Sequence, residues 1–326
     1  MEITAKTRKT PLLATLPGLI AACLGACLLW GSAFPCVKIG YRLFAISSTD
    51  VPSIIAFAGA RFLISGALVV GGMSIAHHRA YLPARRDWLP AANLSLFQTI
   101  LQYLLFYVGL SRCSGVTSSI IEASNTFLVV LLAVFVFRSE RITARKAAGC
   151  IVGFIGVLLV NLGDDPTSAL DFALDGEGLV FLSTIAAATS SNLAKRYSAQ
   201  GHDPVLLSGW QFVIGGAVLL VVGLALGGQV APADGASPLP AVALLVYLGF
   251  ISAAAYSLWS AALAVNPVSR VAVFGFMNPV FGAILSVALL GEGNVLDPGL
   301  AVLALVLVSV GVVVVNLPGK KSRQYA

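Results

Sequence analysis

Apolar stretches long enough to cross a bilayer as helices follow one another along this chain, separated by short punctuated loops, and that pattern leaves few folds open. A backbone in hydrocarbon finds no water to bond. Each stretch must therefore satisfy its own N–H and C=O groups, which an α-helix does. The chain is 58% hydrophobic and 10% charged over 326 residues, with a mean hydropathy of +0.93. A water-soluble globule carries roughly a quarter charged residues. The expected spans are 17–42, 52–76, 88–110, 115–137, 144–163, 177–197, 204–227, 239–264, 270–290 and 298–317. The first continues to Lys38 without a small-residue cleavage site, so it reads as a retained helix rather than a signal peptide.

The net charge of +6 raises nucleic acid as a partner, and the positions of the charges answer it. With a cytoplasmic N-terminus, all of the twenty Lys and Arg residues except Lys38, Arg42, Arg61 and Arg112 fall on the inner side. That is the positive-inside bias that sets topology, with some affinity for anionic membrane lipids. It implies no nucleic acid.

The segment Gly156-Val157-Leu158-Leu159-Val160-Asn161-Leu162 returns as Gly311-Val312-Val313-Val314-Val315-Asn316-Leu317. Arg61–Ala67 is similar to Gln211–Ala217, and Tyr103–Thr126 aligns without gaps on Tyr256–Pro279. Each half then holds five spans, and an odd number puts the second copy upside down. The flanks agree: basic Lys6–Lys9 precedes the first span, whereas Asp164, Asp165, Asp171, Asp175 and Glu177 cluster around the start of the sixth. The expected fold is an all-α membrane protein of about ten transmembrane helices in two inverted five-helix repeats, with both termini cytoplasmic. Its expected divisions are a cytoplasmic tail 1–16, a first repeat 17–163, an outer acidic linker 164–176, a second repeat 177–317 and a cytoplasmic tail 318–326. Gly149 and Gly153 form a small-xxx-small pair read as packing within the protomer, with a dimer seam as the alternative. Oligomeric state is left open.

No cofactor or metal is expected. Cys23 and Cys27 share a helix face but lack His or carboxylate neighbours, so they read as small packing residues.

Other residues carry a family resemblance. Trp30-Gly31-Ser32-Ala33-Phe34-Pro35-Cys36-Val37-Lys38, the Arg61-Phe62 pair, the Asn278-Pro279 step, and Glu140 and Glu292 after the fourth and ninth spans resemble the EamA-type ten-helix members of the drug/metabolite transporter superfamily. The resemblance covers residues 15 to 317. It departs at Thr126, where the family usually has proline, and at Glu122, which is outside the general pattern. It implies a secondary transporter with a central cavity between the repeats, working by alternating access on a small-molecule substrate. Members move amino acids, nucleotide sugars, other metabolites or drugs, and bacterial members are frequently exporters.

Several residues are candidates for that chemistry. Arg61 lies deep in the second span, where a charge costs about 2.5–3.5 kcal/mol, and Glu122 in the fourth is its economical partner. The pair reads either as a site for a carboxylate or a coupling proton, or as an internal ion pair. Trp30, Tyr103, Tyr107, Tyr256 and Trp259 are aromatics suited to stacking on a ligand. Gln98, Gln102, Asn125, Asn192, Gln211 and Asn278 are amides at membrane depth that need either a polar cavity or interhelical bonds. Ser32 joins the substrate-binding set from the first span. Pro35 and Pro279 each remove a backbone donor and can act as hinges, and Lys38 at the outer end of the first span is a candidate gate.

The expectation is a non-enzymatic transporter in a bacterial inner membrane, moving a small amphipathic metabolite, with amino acids among the candidates, and exporting it. The alternative is an intramembrane enzyme acting on a lipid. That would need a catalytic cluster, yet His77, His78 and His202 fall in loops without metal-ligand spacing or a serine elbow.

Overall fold

Helix starts are written into the sequence as a polar cap followed closely by proline. Thr15 accepts from Gly18 N–H before α1 (Leu16–Leu43), and Asp50 from Ser53 N–H before α2 (Val51–Ala76). Asp203 accepts from the N–H groups of Val205 and Leu206 before α7 (Pro204–Ala225). Proline in the first turn removes a donor that has no helical partner there, and the cap satisfies another. Ser237 precedes α8 (Pro238–Val265) in the same way, without a side-chain cap bond.

A computed structural model describes residues 12–47, 49–110, 112, 121–161, 174–233, 237–290 and 298–317, and every regular element among them is helical. α3 is composite: α-helical at Trp88–Leu94, a π-helix at Ser95–Leu101, and α-helical again at Gln102–Leu110. α4 (Asn125–Phe135), α5 (Ala144–Asn161) and α6 (Glu177–Ala199) follow. α9 is broken, with Val268–Ala272, a 3-10 segment Val273–Phe276, and Met277–Leu290; α10 is Pro298–Asn316. Residues 1–11 of the expected N-terminal tail, the expected C-terminal tail 318–326, the part of the expected fourth span before Ile121, the acidic linker up to residue 173, and Glu292 lie outside the described residues.

Five of the described stretches are long and apolar enough to cross a membrane: Leu16–Leu43, Val51–Ala76, Arg85–Gly109, Pro204–Ala225 and Pro238–Val265. Ile121–Phe135 and Leu305–Asn316 are shorter apolar helices. α6 is more polar because Ser183, Thr184, Ser190 and Asn192 lie along it. All four are buried in the protein rather than turned to lipid.

Lipid tails are as apolar as leucine, so close backbone approach rather than hydrophobic burial holds such helices together. α2 packs on α7 and α5 on α10; α1 meets α8 and α9, α6 meets α3 and α4, α8 also touches α2, and α3 touches α7. Glycine makes the tightest seams. A Cβ on Gly59 would fall on the Leu220 backbone, and one on Gly216 on that of Leu63; a Cβ on Gly66 would lie 2.6 Å from Val213 N. Gly149 and Gly153 pack inside the protomer, against α10 and Phe276.

α4 and α9 cross at their irregular points. Thr126 Oγ1 donates to Ala272 O at 3.3 Å, just before the 3-10 segment. Pro279 sits at the third position of the last α9 segment, directly after the 3-10 stretch Val273–Phe276. α4 begins after a turn at Ser124, whose hydroxyl bonds Ile121 O at 2.5 Å. The chain thus breaks at the aligned place without the proline.

Candidate substrate-binding site

The aromatic residues of α1, α2, α3, α7 and α8 form one connected group. The Trp30 ring meets Tyr256 edge-on at 4.8 Å and Trp259 at 5.2 Å between centroids. Tyr103 packs on Phe62 at 4.4 Å, Phe62 stacks on Phe212 at 5.3 Å, and Phe212 meets Tyr256 at 5.0 Å. Edge-to-face and offset pairs of this kind hold rings rigidly, so the group offers a preformed apolar wall.

Polar groups are threaded through it. The Tyr103 and Tyr256 hydroxyls are 3.3 Å apart, with the Gln98 amide at hydrogen-bonding reach of Tyr256. Gln98 Oε1 accepts in turn from Ser190 Oγ at 2.6 Å. Gln98 lies in the π-helix, a widened turn that recurs at functional positions. Trp30 Nε1 and Gln102 Oε1, and on α4 and α9 Asn125 Oδ1 and Asn278 Oδ1, are buried without a partner among the described residues. Buried polar groups are bonded as a rule, so these four are available to a ligand or to water.

Arg61 is 5% exposed. Its Nε and Nη2 both donate to Ser252 Oγ, at 3.1 and 2.9 Å, and its guanidinium lies 5.2 Å from the Phe62 ring centroid. The expected ion pair with Glu122 does not form, and no carboxylate salt bridge to Arg61 occurs among the described residues. The physical reason is geometric: Ser252 on α8 is at hand for the guanidinium, whereas Glu122 sits before the turn that starts α4. Arg61 nevertheless adjoins the aromatic group, since the Phe62 ring beside it packs on Tyr103.

The structure therefore brings Trp30, Arg61, Gln98, Tyr103, Tyr256 and Trp259 together. Ser32 instead bonds Leu29 O at 2.8 Å and approaches Tyr247, a side chain 41% exposed. Asn192 Nδ2 donates to Val129 O and Ala188 O, both at 3.0 Å, and so ties α6 to α4. Pro35 is buried within α1 and Lys38 is exposed near its end. Phe62, Phe212, Ser190 and Ser252 escaped the sequence reading. The phenylalanines had a signal, since Arg61-Phe62 and Gln211-Phe212 align between the halves; the serines had none.

A second polar cluster is centred on Glu140. Glu140 accepts from Lys146 Nζ at 2.6 Å, from Ser269 N at 3.1 Å and from Ser269 Oγ at 2.5 Å, joining the α4–α5 loop to the start of α9. A cavity of about 350 Å3 lies beside it, lined by Glu140, Lys146, Lys195 and the turn at Val265–Val268. Burial pushes the Glu140 carboxyl up, but the bonds from Lys146 and Ser269 outweigh it and hold the group below its ordinary value. The clamp's contribution is then complete above the ordinary carboxylate range near pH 4.3 and is lost as pH falls through the lower folded-state value. Glu140→Gln, which keeps the shape but not the charge, should cost about 2 kcal/mol at neutral pH and flatten the acid limb. Melting temperature followed from pH 3 to 7 checks both.

His202 Nδ1 meets Asp87 Oδ1 at 2.6 Å, with both side chains buried. Together with Tyr81, whose hydroxyl donates to Asp203 at 2.5 Å, this pair fastens the α2–α3 loop to the α6–α7 loop. No Ser or Cys bonds His202 among the described residues.

Comparison with known proteins agrees with this architecture. The chain is 28% identical over 265 residues to an uncharacterized transporter of Archaeoglobus fulgidus, covering 81% of this chain and 87% of that one. It is 25% identical over 239 residues to a WAT1-related chloroplast protein of Arabidopsis thaliana, covering 72% of this chain but 57% of the plant protein's length. Protein PecM of Dickeya dadantii is 25% identical over 216 residues, 63% of this chain and 65% of that one. A solved crystal structure matches with a TM-score of 0.71 at 18% identity, over 93% of this chain and 97% of the other, a likeness of fold alone. The model of the EamA-like transporter family matches twice, at residues 16–162 and 174–317. With both halves matched and apolar helices built to lie in lipid, the chain is a multi-pass membrane protein and belongs to the EamA-like transporter family.

Proposed function

We propose that the protein exports a small amphipathic metabolite across a bacterial inner membrane by alternating access, and that the aromatic group between α1, α2, α3, α7 and α8 binds it. The observation that carries the reading is a buried Arg61 that has no carboxylate partner among the described residues and lies beside the connected aromatic group. An arginine in low dielectric favours an anion, and the wall favours an apolar body. A molecule with a carboxylate and an apolar or ring-shaped part, such as an amino acid, fits both.

The helix contacts support two inverted repeats and ten spans. Exchanging each helix for its counterpart five places on turns the α1–α8 contact into α6–α3, α1–α9 into α6–α4, and α2–α8 into α7–α3, and all of these occur. The glycine seams exchange likewise. Gly59 meets Leu220 while Gly209 meets Val70, and Gly66 meets Val213 while Gly216 meets Leu63. Such reciprocal contacts are what a two-fold axis in the membrane plane produces. In this reading the Glu140 clamp closes the cytoplasmic side, and breaking it opens that side.

Saturable uptake of labelled amino acids into proteoliposomes, by counterflow and under an imposed pH gradient, is the test. No saturable flux with amino acids, amines or purines in either mode would overturn the reading. Tyr256→Phe removes one hydroxyl from the Gln98–Tyr256–Tyr103 chain and leaves the ring. It should raise KM about 5-fold with little change in melting temperature, as expected for one lost neutral hydrogen bond.

A further inference from the structure

Four oxygens on facing sides of α3 and α7 have no partner among the described residues. Ser95 Oγ, Thr99 Oγ1, Ser208 Oγ and Gln211 Oε1 are buried without a hydrogen bond, on residues no more than 1% exposed. The aromatic group uses none of them. Ser95 and Thr99 belong to the π-helix and address one place on α7: a Cβ on Gly215 would lie 2.8 Å from Ser95 Oγ and 2.5 Å from Thr99 Cβ. Gln211 is one helical turn before Gly215 on the same face, with Ser208 a turn further. Unpaired oxygens in a membrane core are costly, and something must meet them.

The other half of the molecule shows what that is. In the alignment of the halves, Gln211 takes the place of Arg61, and Thr99, carried back along the same register from Tyr103, takes the place of Ser252. At the α2–α8 contact the Arg61 guanidinium rests on the Ser252 hydroxyl. At the corresponding α3–α7 contact the hydroxyl and an amide oxygen remain, and the built-in cation is gone.

We infer that the α3–α7 seam binds a monovalent cation of the sodium class, whose charge stands where the mirrored half carries the Arg61 guanidinium. The donor set selects the ligand. Ser, Thr and Gln side chains do not titrate in the physiological range, so the site holds no proton. A divalent ion, costlier to desolvate, would call for carboxylates, and no group of three or more His, Cys, Asp or Glu residues that could hold a metal occurs among the described residues. The π-helix loosens the backbone ladder and can lend a carbonyl oxygen as a further donor, as unwound helices do for coupling ions.

The inference rests on the repeat and not on the substrate, so binding is read apart from flux. The purified full-length protein is melted in NaCl, LiCl, KCl and choline chloride at equal ionic strength. Sodium should raise the melting temperature over choline by about 3–5 °C, saturably in the millimolar range. Thr99→Val, which keeps the shape and removes one oxygen, should weaken the sodium response at least about 10-fold. Gln211→Arg, which restores the charge of the mirrored half, should abolish the response while melting in choline about as high as the wild type does in sodium. Equal melting in all four salts would leave water as the only partner and overturn the site. A sodium response unchanged in both variants would place the cation elsewhere and overturn it equally. Should Thr99→Val fail to fold, the wild-type salt series and Gln211→Arg decide the matter without it.

Discussion

Gly216→Ala should cost the protein about 3 kcal/mol or more, a drop in melting temperature of at least about 5 °C. The added Cβ would fall on the Leu63 backbone in the α2–α7 seam, where no side-chain rotation relieves it. Overpacking of this kind moves whole helices, and α2–α7 is the most extensive helix contact among the described residues. Gly72→Ala is the matched control. It lies on α2 with nothing within 4 Å of an added Cβ, so helix propensity alone predicts neutrality or a gain of up to about 1 kcal/mol. Thermal shift and monodispersity in detergent, compared for the two variants, check the contrast. If Gly216→Ala melts like the wild type, the seam is looser than its geometry states.

Arg61→Met should reduce transport about 100-fold, which corresponds to the loss of a charge-assisted bond to a substrate anion, about 2–3 kcal/mol. Its effect on folding should be small. Replacing a buried charge by an apolar side chain of similar volume is often neutral or stabilising, and here the group left behind is a single serine hydroxyl, which still bonds Leu248 O at 3.3 Å. Counterflow kinetics together with melting temperature separate the two roles. Unchanged flux with lowered stability would make Arg61 a structural tie between α2 and α8. Lost flux in a well-folded variant would place it at the substrate.

The helices were legible in advance because hydropathy and caps are local. The second span, read as 52–76, is Val51–Ala76, and the eighth, read as 239–264, is Pro238–Val265. The aromatic members of the site were legible too, since aromatics and charges at membrane depth are conspicuous against Leu, Val and Ala. Their partners were not. Arg61 chose Ser252, across 191 positions of sequence, because partner choice is set by helix crossing and rotation, which composition does not encode. Asn192 is read as facing either a cavity or another helix; its Nδ2 bonds Val129 O, while its Oδ1 is buried without a partner among the described residues. The π-helix at Ser95–Leu101 had no proline or glycine to announce it.

Residue character over one or two turns was enough to show that this chain forms apolar helices suited to lipid, where several of them start, and that its two halves resemble each other. Only the assembled helices decided that Arg61 rests on Ser252, that Glu140 ties α9 in through Ser269, and that the α3–α7 seam keeps oxygens its counterpart satisfies. Those outcomes depend on ångström-scale approach between backbones. In a bilayer, packing sets that approach, and glycine placement only permits it.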